Sequence, residues 1–103
     1  MSKWLYLKNL YERGIKSHYH RIASIQQNFI NETPVIEVYV YHYSEAEYRE
    51  IERVKIVEDI NFQNIVGTDS YVFELDDTKG ATRADFYKRM IEELPEYANA
   101  EKI

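Results

Sequence analysis

The chain has 103 residues, a formal charge of −5, ten tyrosines and no cysteine. That length supports one domain whose core forms without staples, and the missing cysteines exclude disulfide and thiolate-metal frameworks. No apolar run approaches the ~20 residues of a membrane span, and an acidic balance argues against a general nucleic-acid binder.

The charge is split. Residues 1–30 hold five basic groups against Glu12, so +4, and the remainder of the chain carries −9. A basic first third can meet an acidic partner, including another copy of the same chain. The opening "MSKWLYLKNLYERG" has its apolar positions interrupted by Lys3, Lys8 and Asn9. It lacks signal-peptide architecture, so synthesis in the cytoplasm with no sequence-encoded route out of it is expected.

Leu5 and Leu7 alternate with Trp4 and Tyr6, while Leu7, Leu10 and Tyr11 also fit helical spacing. A strand or extended arm over residues 1–13 is the reading adopted, ended by Gly14. Residues His18–Phe29 predict a strand with Ile22 on one face and Tyr19, Ala23, Ile25 and Phe29 on the other. "NETP", Asn31–Pro34, predicts a turn. The next strand, "VIEVYVYHY", points Ile36, Val38 and Val40 to one face and Tyr39, Tyr41 and Tyr43 to the other.

The two strands predict a hairpin. A regular ladder keeps faces matched, so paired residue numbers must sum to an even value, near 62 for this turn. Ile22 then faces Val40, Ser24 faces Val38 and Gln26 faces Ile36. On the other face Tyr19 meets Tyr43, Arg21 meets Tyr41 and Ala23 meets Tyr39. Ser44–Glu47 matches a capping box, but Val54 and Ile56 alternate with Arg53, Lys55 and Val57, and a strand over 50–58 is preferred. Asn61–Asp69 reads as loop and Ser70–Leu75 as strand. Residues 81–95 predict a helix capped by Thr82, with a stripe of Ala84, Tyr87, Ile91 and Leu94 beside Met90, stopped by Pro95. The whole reads as a single α+β domain: mainly antiparallel β, about five strands in a sheet or sandwich, with one C-terminal α-helix.

The face bearing Tyr19, Arg21, Tyr39, Tyr41 and Tyr43 is the candidate interaction surface. Tyrosine rows flanked by arginine suit protein interfaces, and their rings also stack on sugars. The competing structural reading covers this face with a helix or second sheet. His18, His20 and His42 form the one cluster with metal-ligand character, His20 lying across from His42 in the proposed register. Imidazoles bonded to backbone or water are the stronger reading, so no metal and no cofactor is expected. No serine elbow, cysteine nucleophile or phosphate-cradling glycine loop is present, and no enzymatic activity is expected.

The C-terminal stretch "FYKRMIEELPEYANAEKI", with Leu94-Pro95-Glu96-Tyr97 followed by Ala98 and Ala100, resembles the closing segment of small tail and baseplate structural proteins of tailed phages infecting Gram-positive bacteria. "SHYHRIASI" and "VIEVYVYHYSEAEYRE" look like their paired strands and following loop, although Ser44-Glu45-Ala46-Glu47 stands where such chains carry a basic residue. The resemblance spans Gly14–Ile103. It implies a non-enzymatic tail-tip or baseplate component, made in the host cytoplasm and carried in the virion tail. Its partners would be other tail proteins or itself, with no cofactor. Recognition of host cell-wall polysaccharide, or inhibition of a host enzyme by a small acidic domain, are the alternatives.

Overall fold

The computed structural model describes residues 4–8, 11–12, 15–54 and 65–103. Three strands are two residues long: β1 (Leu5–Tyr6), β2 (Tyr11–Glu12) and β3 (Ile15–Lys16). The long hairpin follows, β4 (Tyr19–Ile30) and β5 (Thr33–Tyr43), then helix α1 (Glu45–Val54). Strand β6 (Gly67–Glu74), helix α2 (Arg83–Glu93) and strand β7 (Glu101–Lys102) complete the order. Single 3-10 turns occupy Asp77–Lys79 and Pro95–Tyr97. One antiparallel sheet runs β6-β5-β4-β1-β7, and β2 and β3 pair separately.

The α+β class agrees with the sequence pattern, with two differences. The layers covering the main sheet are helices, and there are two of them among the described residues. Residues 50–54, expected in a strand, belong to α1. The Ser44 hydroxyl accepts from Glu47 N–H at 3.3 Å, and the Ser44 carbonyl accepts from Tyr48 N–H at 2.9 Å. Arg49–Glu45 and Arg53–Glu50 pairs lie along the helix surface, at the spacing that supports isolated turns. These local contacts, with Tyr48 docked on Trp4, outweigh the β-branched alternation. The expected continuation over 55–58, the loop over 61–64, and residues 1–3, 9–10 and 13–14 of the N-terminal region lie outside the described residues.

The hairpin turn is tight. Asn31 and Glu32 both have positive φ, 49° and 68°, the handedness that matches strand twist in a two-residue turn. Ile30 therefore pairs with Thr33, and this sets an odd sum of 63. Further down, Ile22 pairs with Val40, Arg21 with Tyr41, His20 with His42 and Tyr19 with Tyr43, the even sum of 62. A β-bulge between Ile22 and Ser24 absorbs the difference. The expected pairs Ala23–Tyr39, Ser24–Val38 and Gln26–Ile36 are replaced by Ser24–Tyr39, Ile25–Val38 and Gln27–Ile36. One extra residue on a strand reverses the facing of everything beyond it, which carries Ile25 onto the core side.

The core lies between the sheet and α2. Phe86, Tyr87 and Met90 pack on Ile22, Ile36, Val38, Val40 and Phe73, with Leu5 and Tyr97 closing the end. Ile91 and Leu94 are half-buried against this cluster. The buried helix positions thus include Phe86 and Arg89, which the predicted stripe did not contain. Arg89 is buried because its guanidinium lies 4.9 Å from the Phe73 ring and bonds Glu93 at 2.7 Å. Thr82 caps α2 through a reciprocal box with Asp85, and Pro95 begins the 3-10 turn that ends it.

Candidate functional site

The tyrosine row divides into a sealed end and an open end. At the sealed end Trp4 is fully packed. Its ring meets Tyr43 edge-on at 5.4 Å, Tyr48 at 5.1 Å and Tyr19 at 6.5 Å. The Arg21 guanidinium lies 5.2 Å from the Trp4 ring, so the arginine expected to flank tyrosines stacks on tryptophan. Tyr19 and Tyr48 stack at 3.9 Å, and Trp4 Nε1 donates to Glu52 at 2.7 Å. Burial pushes the Tyr43 phenol up to about 12, with Arg21 acting in the opposite direction. Arg21 and Tyr43 are buried, and Tyr19 is half-buried.

At the open end Tyr39 and Tyr41 are half-buried. Tyr39 pairs with Ser24 on one side and Ser70 on the other, and Tyr41 with Arg21 and Thr68. The Tyr39 hydroxyl donates to Glu37 at 2.7 Å, which holds its proton above the ordinary tyrosine range. Val72, opposite Glu37, is 52% exposed and continues this face toward the hairpin end.

The opposite face carries an arrangement only half visible in the sequence. His20 and His42, paired across the strands as expected, stack with centroids 3.8 Å apart. His20 Nε2 lies 2.8 Å from the Ser17 carbonyl, which can only accept. In the neutral ring Nδ1 therefore accepts from the Tyr97 hydroxyl at 2.7 Å. His42 Nε2 is 3.3 Å from Asp69. Tyr71 meets the Tyr97 ring edge-on at 5.6 Å and donates to Asp69. Burial raises Tyr71 to about 12, and burial first, then Tyr71, raises Tyr97 further. His18 does not join the pair; its ring lies 5.5 Å from Tyr6. Among the described residues no three metal-ligating side chains converge.

Beside this network is a cleft of about 500 Å³, to which Tyr6, His42, Asp69, Tyr71, Asn99 and Glu101 contribute. Its volume falls within the range of small-molecule sites. Tyr71, Asp69 and the segment after Pro95 reach it only through the tertiary fold. The cross-strand histidine pair was the sole sequence signal for it.

No helix of the described residues is long and apolar enough to cross a membrane. Comparison with family models, with curated proteins and with solved structures returns no match.

Proposed function

We propose that this chain is a non-enzymatic assembly component acting through protein–protein contacts, of the tail-tip or baseplate kind its sequence resembles. It would be carried in the virion tail after synthesis in the host cytoplasm. The observation that carries the reading is the open end of the tyrosine face, Tyr39 and Tyr41 continuing to exposed Val72. Tyrosines held half-exposed on a rigid sheet present wide contact area with few rotors to freeze. Their sealed neighbours supply the rigidity.

The test is incorporation into purified phage particles. The native chain is expected in the particles. Substituting Tyr39→Ser and Tyr41→Ser together should leave circular dichroism and melting unchanged and cut incorporation about tenfold or more, as for an interface centre. A double variant that unfolds, or one incorporated as well as the native chain, sinks the surface assignment.

A second reading is favoured by the cleft. Tyrosine faces beside carboxylates, an amide and imidazoles form a neutral-sugar site better than a phosphate site, because Asp69, Glu96 and Glu101 outnumber Lys8 on its walls. Titration calorimetry with purified cell-wall polysaccharide checks it: heat abolished by Asp69→Ala supports it, and no heat with the native chain removes it.

A further inference from the structure

Among the described residues, the sheet order leaves a long edge of β4 without a strand beside it. β1 pairs only with Tyr19 and His20. The next outward backbone group, Ile22 N–H, is taken by the Tyr87 hydroxyl at 2.9 Å. From Ala23 to Ile30 no strand of the described residues flanks the side away from β5. Sheet edges are ordinarily blunted by charge, proline or short length. The terminal strand β6 carries Asp69 and Glu74, and the terminal strand β7 is Glu101–Lys102, whereas Ile22–Ile30, "IASIQQNFI", carries no charge and no proline. Within it Gln26 and Gln27 are exposed, Phe29 is 68% exposed and Ile30 is 47% exposed.

Hairpin geometry decides which backbone groups face outward. The two-residue turn makes Ile30–Thr33 a hydrogen-bonded pair. Alternation then turns the groups of Asn28, Gln26 and Ser24 toward β5, and those of Phe29, Gln27 and Ile25 away from it. Three residues at two-residue spacing, centred on Gln27, form a palindromic set of donors and acceptors.

We propose that a second copy of this chain pairs with this edge, β4 against β4 in antiparallel register about a two-fold axis at Gln27. Gln27 then meets Gln27 of the partner copy, and Ile25 of each copy lies opposite Phe29 of the other. Both side chains point to the α2 side of the sheet, as their partners Val38 and Pro34 do. Each strongly exposed phenylalanine thereby gains an aliphatic neighbour. A seam without charges places no like charges opposite one another when identical strands pair, and β4 offers one while β6 offers two carboxylates. An isologous contact of this kind closes at two copies. The pairing rests on the assembly reading only in being a protein contact; it uses a different surface from Tyr39 and Tyr41.

Light scattering against concentration tests it. The native chain is expected to move from its 12.4 kDa chain mass to twice that value as concentration rises. Gln27→Pro removes an outward N–H and no bond to β5, a position where proline is tolerated. It should keep the native circular dichroism and stay at the single-chain mass. Phe29→Lys, on an exposed side chain, places like charges beside the axis and should also abolish the doubling; it decides the matter if the proline variant fails to fold. A native chain that stays single at all concentrations overturns the proposal. So does a doubling that survives both substitutions, or a mass that grows past two copies, the sign of β4 pairing with β6. A chain that doubles yet is absent from particles fails the assembly reading alone. A chain that never doubles yet is incorporated through Tyr39 and Tyr41 fails the pairing alone.

Discussion

β4 is one strand with two fates, divided at Ala23. Before the bulge, Tyr19–Ile22 pairs with β5, Tyr19 and His20 are also flanked by β1, and Trp4 lies on one face with Tyr97 and Tyr87 bonding from elsewhere in the fold. Beyond it, Ser24–Ile30 pairs, among the described residues, only with β5 and ends in exposed Phe29 and Ile30. The hairpin pairs β4 with β5 on both sides of the bulge, so strand formation alone does not account for burial. What differs is the number of distant segments that converge: β1, α1, α2 and the C-terminal turn all reach the first half. The closed half is therefore where stability concentrates, and the open half is where contact with other molecules is expected.

The largest effect expected in breaking that contrast comes from alkali. Tyr43, Tyr71 and Tyr87, all placed in or beside the closed half, hold their protons up to about 12, chiefly through burial. An unfolded tyrosine ionises near 10. Between about pH 10 and 12 the unfolded chain releases protons that the folded chain keeps, so stability falls as pH rises through that window and is complete below it. Chemical denaturation at stepped pH, followed with phenolate absorbance, should show the midpoint dropping steeply there. A midpoint flat to pH 12 would contradict the burial of these rings.

Next in size is Trp4→Ala. It removes the ring on which Arg21, Tyr43 and Tyr48 pack, and about 3–5 kcal/mol of unfolding free energy should be lost. Tyr87→Phe keeps the ring but withdraws the acceptor from Ile22 N–H, at a cost of about 1–3 kcal/mol for a buried unsatisfied donor. Urea unfolding measures both. Thr82→Ala, which removes the α2 cap, should cost about 1 kcal/mol. Smallest is Phe29→Ala in the open half, within about 0.5 kcal/mol at concentrations where the chain is single. A Phe29 loss as large as that of Trp4 would erase the distinction between the halves.

Much of this was legible in the sequence because it is local. The Thr82 cap with Asp85 three residues on, and the stop at Pro95, mark α2 from neighbours in the chain alone. The alternation at Ile36, Val38 and Val40 points them inward whatever packs above, and the turn sum near 62 was enough to bring His20 onto His42. The even-sum rule failed beyond Ile22 because it assumes a regular ladder, and an added residue leaves no mark in hydrophobic alternation. Ile25 was consequently assigned to the tyrosine face. The strand preferred over 50–58 failed, within the described residues, because valine and isoleucine spacing was weighed above the Ser44 cap. Of the guessed contact surface, Arg21 and Tyr43 are buried in the Trp4 cluster, Tyr19 stacks on Tyr48, and Tyr39 and Tyr41 are half-buried.

From its sequence alone the chain determines a long hairpin with an apolar face, a capped C-terminal helix and a histidine pair across two strands. These follow from side-chain periodicity and hydrogen bonds between residues close in sequence. The tertiary structure decided which tyrosines are sealed, where the cleft opens and, among the described residues, which strand edge is left without a neighbour. Those outcomes depend on contacts such as Trp4 with Glu52 and His20 with Tyr97, separated by 48 and 77 positions. Burial is set by whichever remote segments arrive, and periodicity along a single segment carries no record of their arrival.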